Sequence, residues 1–144
     1  MKISSRQFIA WSTVLVWCAI IAGLSTDHGS AKHTGQMLHL AGIPDYLVPT
    51  VNHVIRKSAH FTEYAVLGIL ATFALTYQSP KLYIRMGPVI LTALCGLYAF
   101  SDELHQVFVP SRTASPKDVL IDTMGAVTAI ICLYYLRKYR KFFA

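Results

Sequence analysis

Apolar and polar positions divide the chain into four hydrophobic runs, 8–24, 61–77, 86–100 and 119–136, separated by short polar breaks. Each approaches the roughly 20 residues that a bilayer-spanning helix needs, once a polar turn is allowed at one end. The pattern predicts an all-α, four-transmembrane-helix bundle forming one domain over 1–144, with helices at about 8–24, 53–77, 86–107 and 116–136. Punctuation sets the boundaries. Gln78-Ser79-Pro80 stops the second helix, Gly87-Pro88 starts the third, and Ser115-Pro116-Lys117-Asp118 opens the fourth with a cap serine and a proline in the first turn. The only long connection, 25–52, carries Met37-Leu38-His39-Leu40 and Tyr46-Leu47-Val48, which read as an interfacial segment on the outer membrane surface. Lys2 and Arg6 before the first run resemble a signal peptide. The run is longer than a usual signal core and Ala22-Gly23-Leu24 fits a cleavage site poorly, so the helix reads as retained.

Composition supports the membrane class. Hydrophobic residues make up 54 % and charged residues 14 % of the chain, against about a quarter charged in ordinary soluble domains. The mean hydropathy is +0.46. That disfavours a water-soluble enzyme and a disordered tail. A net charge of +6 raises the question of nucleic acid, but basic residues in a membrane chain mark its cytoplasmic side, and no nucleic-acid partner is expected. Cys18, Cys95 and Cys132 lie in apolar runs without metal or redox spacing and read as small core hydrophobes.

Placement of charge then gives a topology. Lys2, Arg6, Lys81, Arg85, Arg137, Lys138, Arg140 and Lys141 fall on one side, which makes both termini cytoplasmic. All seven acids and all six histidines fall on the other. Counting about 20 residues back from the inner ends puts Glu63 and Asp122 several residues inside the outer boundary, with Asp102 and Glu103 slightly inside. An ionised carboxylate at that depth is costly unless paired or hydrated, so acids on three helices at one level point to function. Helical periodicity groups Arg56, Lys57, His60, Glu63 and Tyr64 on one arc. It also joins Asp102, Glu103 and Gln106 with His105 turned away, and sets Asp118, Asp122, Gly125 and Ala129 in a narrow stripe. The small Gly125 and Ala129 allow a close backbone approach below the acids. The three faces are expected to converge on one outward-opening polar pocket.

Each group also has a plainer reading. Asp118 reads equally as a first-turn cap. Glu63 has Arg56 and Lys57 on its own face for an ion pair. Arg56, Lys57, Arg112 and Lys117 are surface charges or donors to an anion. Tyr64, Tyr98, Trp11 and Trp17 read as packing or interface residues, and the histidines of 25–52 as solvated.

The stretch Arg56-Lys57-Ser58-Ala59-His60-Phe61-Thr62-Glu63-Tyr64-Ala65-Val66-Leu67-Gly68 resembles the second-helix motif of VanZ-like membrane proteins. Ser101 to Arg112, then Asp118-Val119-Leu120-Ile121-Asp122 and Gly125, resemble the other half of that family, which is named for a teicoplanin (glycopeptide) resistance protein. The resemblance carries the family's E-x-x-Q onto Glu103 and Gln106, and its D-x-x-x-[ND]-x-x-G onto Asp118, Asp122 and Gly125. Many members have Asn where this chain has Asp122. His60, Glu63 and Arg112 match one branch only. The resemblance implies a multi-pass protein of the bacterial cytoplasmic membrane.

Three functions fit these residues. The first is binding or modulation of an anionic envelope lipid or lipid-linked wall precursor at the outer pocket, with an effect on glycopeptide tolerance. The second is a membrane-embedded hydrolase or transferase acting on a lipid-linked substrate. No nucleophile–base arrangement is recognised for it, since Ser58 and Ser101 lack an assigned base, and phosphatase-type Arg and His signatures are missing. The third is a small transporter or proton relay, disfavoured by the lack of polar residues in the inner leaflet. No cofactor is expected. A divalent cation is the alternative, with His60, Glu63, Asp102 and Asp122 as its ligands.

Overall fold

The computed structural model describes residues 4–26, 30–109 and 115–140. Among these residues there are five helices and no strand: α1 (Ser5–Thr26), α2 (Ser30–Leu40), α3 (Val48–Gln78), α4 (Pro80–Gln106) and α5 (Pro116–Arg140). Four of them, all but α2, are long and apolar enough to cross a membrane. Their outward surfaces carry Phe8, Leu15, Val89, Leu97, Phe100, Leu120 and Met124, each more than half exposed. Such a belt is unfavourable in water and ordinary in lipid.

The order is up–down. Gln7 donates to the Tyr77 carbonyl (3.1 Å), and Arg137 donates to the Thr76 hydroxyl, so the start of α1 and the ends of α3 and α5 share one end of the bundle. Ser25 near the end of α1 meets Asp102 near the end of α4 at the other. α3 therefore runs parallel to α5 and antiparallel to α1 and α4.

The tightest seam joins α3 and α5. A Cβ built on Gly125 would lie 2.2 Å from the Phe61 carbonyl oxygen, and one on Gly68 would lie 2.7 Å from that of Ala126. Small residues thus bring two backbones into contact, as the stripe ending in Gly125 and Ala129 suggested. Around the seam Tyr64, Leu67, Ala71, Ala74, Leu91, Ala126 and Ile130 form the apolar core.

Several boundaries differ from expectation, each for a local reason. α1 begins at Ser5, because Ser4 and Gln7 close a reciprocal cap: the Ser4 amide donates to Gln7 Oε1 (2.9 Å) and the Gln7 amide to Ser4 Oγ (3.3 Å). α4 begins at Pro80 rather than at Gly87-Pro88. Ser79 Oγ accepts from the Leu82 amide (3.4 Å), and Pro80 fills the first turn. Pro88 then lies inside the helix, where it removes one donor, a loss that a bundle in lipid tolerates. α3 begins at Val48, with a proline in its first turn, and at 31 residues exceeds the hydrocarbon thickness. The long connection contains a helix, α2, packed against α3. Met37, Leu40 and Tyr46 stay exposed there, whereas Val48 is buried.

Candidate functional site

Burial picks out one end of the bundle. Among the described residues the buried polar side chains are Ser25, Thr72, Asp102, Glu103, Gln106 and Asp122, and all but Thr72 gather where α1 and α4 end and α5 begins. The α4 periodicity holds: Asp102, Glu103 and Gln106 point inward while His105 is exposed.

Asp102 is fully dressed by neutral donors. Its Oδ2 accepts from Ser25 Oγ at 2.8 Å, from Gln106 Nε2 at 3.4 Å and from the Tyr64 hydroxyl at 3.5 Å. Hydrogen bonds of this kind let a carboxylate survive away from water. Glu103 instead accepts from the Ser115 backbone amide, while Ser115 Oγ accepts from the Lys117 amide (3.3 Å). It thereby ties the end of α4 to the start of α5.

Asp122 is different. It is 1 % exposed, and neither carboxylate oxygen finds a hydrogen-bond donor among the described residues. His60 Nδ1 stands 3.7 Å from Asp122 Oδ1 and 3.9 Å from Glu63 Oε2, so the imidazole sits between the acids of α5 and α3. Asp102, Asp118, Glu103 and Glu63 all lie within electrostatic reach of Asp122. Five acids therefore share one end, where an ammonium pairs with Asp118 and neutral donors meet Asp102 and Glu103.

That ammonium is Lys57, which pairs across the seam with Asp118 of α5. This revises two expectations. Lys57 is committed to Asp118 rather than to Glu63 or a ligand, because the parallel α3–α5 packing sets it opposite the first turn of α5. Asp118 serves as an ion-pair partner, and the capping oxygen is that of Ser115. Arg56 is half-buried on the same helix, and Lys117 is exposed. Arg112 lies outside the described residues.

Three groups at or beside the site take roles that the pattern did not assign. Ser25 is the last polar atom of an apolar run, and a hydroxyl at a span boundary reads as ordinary. Tyr64 is core, as expected, yet its hydroxyl reaches Asp102. Trp17 donates to the Glu63 carbonyl (2.9 Å) and fixes α1 against α3 beside the site.

Among the described residues two apolar-walled grooves touch the acids from the outside of the bundle. One, about 290 Å³, runs between α4 and α5 past Phe100, Glu103 and Val119. The other, about 390 Å³, passes Trp17, Ala59, Glu63 and Val66. Among the described residues no three His, Cys, Asp or Glu side chains are grouped to hold a metal ion. The suggested set of His60, Glu63, Asp102 and Asp122 is split, since Asp102 turns to Ser25, Gln106 and Tyr64. Chemically the site offers one buried carboxylate, Asp122, that accepts no hydrogen bond among the described residues.

The family model described as VanZ/LLP1 matches residues 8–137, nearly the whole chain, both acid-bearing motifs included. No curated protein and no solved structure matches the chain.

Proposed function

Since the chain belongs to the VanZ/LLP1 family, we propose that it lies in the bacterial cytoplasmic membrane and binds or modulates an anionic envelope lipid or lipid-linked wall component. Both termini face the cytoplasm in this reading, and the acidic end faces outward, with α2 along the outer membrane surface. Asp122 carries the proposal. A carboxylate buried at 1 % exposure without a hydrogen-bond donor is costly, and a protein retains one where a ligand supplies what is missing. Hydroxyl or amino groups of a lipid head group are such donors. The phosphate of the same head group would meet Arg56 and Lys117 at the rim, and its acyl chains would follow the two grooves. Glycopeptide tolerance would be a consequence of that binding.

A lipid-modifying hydrolase or transferase is the second reading, favoured by the Ser25 hydroxyl on the Asp102 carboxylate. Ser25 is 1 % exposed, as Asp122 is, so in either reading the helices must part to admit the ligand or substrate. A proton relay could start at His60. It would then have to cross Leu67, Ala71, Leu75 and Ile130, with Thr72 the only buried polar side chain on the way among the described residues.

The test is lipid identification on protein purified in native membrane discs. We expect one anionic lipid class to be enriched, and Asp122→Asn to lose it with thermal unfolding unchanged. No enrichment over bulk membrane would overturn the reading. Phosphate or modified head group released in liposomes, and abolished by Glu103→Gln, would establish the enzyme instead. A pH-driven flux blocked by Glu63→Gln would establish the relay.

A further inference from the structure

The opposite, basic end of the bundle holds a second feature, independent of the acid cluster. A cavity of about 540 Å³ opens among Thr76, Tyr83, Ile84, Tyr134, Arg137 and Lys138, where α3 and α5 end and α4 begins. That is within the size range of small-molecule sites. Arg137 is fixed in its wall. Its guanidinium donates to the Thr76 hydroxyl and lies over the Phe73 ring (5.0 Å to the centroid) and the Tyr83 ring (5.3 Å). Aromatic faces partly compensate a cation but accept few hydrogen bonds, which leaves most of the guanidinium's donors for another group.

Tyr83 supplies the second observation. It is 3 % exposed, lines the cavity, and its hydroxyl is buried with no hydrogen-bond partner among the described residues. Edge contact with Tyr134 at 6.3 Å positions the ring but gives the hydroxyl nothing to bond. An unused O–H donor thus stands beside an immobilised guanidinium. No described acidic residue lies at this end, and Lys81 and Arg85 add further positive charge on α4.

A ligand that satisfies these groups has an anionic head with several acceptor oxygens and an apolar body. Charge complementarity selects the head, and the walls select the body. Beside the cavity, Ile84 and Leu136 are more than half exposed and continue the apolar belt of the bundle. We propose that this cavity binds one anionic membrane phospholipid, its phosphate between Arg137, Lys138 and the Tyr83 hydroxyl, its acyl chain along Ile84. The basic end is then a specific lipid site in addition to an electrostatic anchor.

The test uses full-length protein in discs of phosphatidylcholine doped with phosphatidylglycerol, with retained lipid counted by native mass spectrometry. Measurement in the Asp122→Asn background keeps the acidic end out of the result. We expect one retained phosphatidylglycerol per chain. Tyr83→Phe keeps the ring and its packing and should lower retention roughly tenfold, the weight of one hydrogen bond to a charged group. Arg137→Lys keeps the charge but not the fork, and should lower it similarly. Lys81→Ala with Arg85→Ala should stay within about twofold, since a screened surface charge contributes little. Unchanged retention in Tyr83→Phe would overturn the proposal, as would equal retention of phosphatidylcholine. Equal losses in the Lys81/Arg85 variant would reduce the site to surface attraction. Displacement by inorganic phosphate as readily as by phosphatidylglycerol would make it a free-phosphate site and overturn the lipid assignment.

Discussion

The α3–α5 seam makes a quantitative claim about two glycines, Gly125 and Gly68, for which Gly96 of α4 is the control. At Gly125 an added methyl would sit 2.2 Å from the Phe61 carbonyl oxygen, 3.0 Å from its carbon and 3.2 Å from its Cα. Carbon and oxygen come no closer than about 3.3 Å even in a weak C–H···O contact, so the helices must separate by about 1 Å. At Gly68 the obstruction is the Ala126 carbonyl oxygen at 2.7 Å, with backbone behind it, and the required shift is smaller. At Gly96 the nearest atoms are the Thr123 side chain at 3.6 and 3.7 Å, an ordinary contact.

Overpacking a filled interface costs about 1–3 kcal/mol, and a gap of about 1 Å forfeits up to half of each contact along the opened seam. Alanine also regains about 1 kcal/mol of helix propensity over glycine. Gly125→Ala should therefore lose the most stability, about 2 kcal/mol net, Gly68→Ala less, and Gly96→Ala none or a slight gain. Reversible unfolding in mixed micelles, followed by circular dichroism, gives all three values on one scale. The seam also carries the site, because His60 and Asp122 face each other across it at 3.7 Å. Gly125→Ala should thus weaken lipid retention as well as the fold, and Gly96→Ala neither. A Gly125→Ala protein as stable as the parent, or a Gly96→Ala protein equally damaged, would refute the close approach.

Other consequences are tested more simply. Ser25→Ala removes a 2.8 Å hydrogen bond to a buried carboxylate and should cost about 1.5–3 kcal/mol in the same assay; a smaller effect would mean that Tyr64 and Gln106 suffice for Asp102. A double-mutant cycle on Lys57→Ala and Asp118→Ala should return a coupling above about 1 kcal/mol, beyond exposed pairs, because both side chains are at least three-quarters buried. Single cysteines in a background without Cys18, Cys95 and Cys132 test the topology. Lys81→Cys should react only with reagent on the cytoplasmic side, and Lys117→Cys only from outside.

What could be read from the chain depended on whether one helix sufficed to define it. The 3.6-residue period separates Asp102, Glu103 and Gln106 from His105 without knowledge of any neighbour, and the inward set is indeed buried. The same holds for Gly125, whose place below Asp122 on one stripe needs only α5. Pairings between helices were not accessible in this way. Lys57 precedes Glu63 by six residues, less than two turns of α3, and only the parallel setting of α5 shows that Asp118 claims it. Ser25 is separated from Asp102 by 77 positions, and no local pattern distinguishes it from any hydroxyl at the end of a span. Pro80 and Pro88 carry the same start signal, and the choice between them rests on Ser79, which caps the Leu82 amide in the folded chain.

The division of charge between the ends follows a related logic. Acids at the end of α4 and the start of α5 are placed in the core, so each must find donors there. Asp102 and Glu103 find them in Ser25, Tyr64, Gln106 and the Ser115 amide, whereas Asp122 finds none among the described residues. At the other end the partly buried cation is Arg137, held by two rings and a hydroxyl, beside a tyrosine O–H without an acceptor. Among the described residues one end thus lacks a donor and the other an acceptor, roughly 22 Å apart along α5, and the apolar core between them keeps either from satisfying the other. Neither group finds its partner among the described residues, and in a membrane the most abundant molecules that carry both apolar tails and polar heads are lipids.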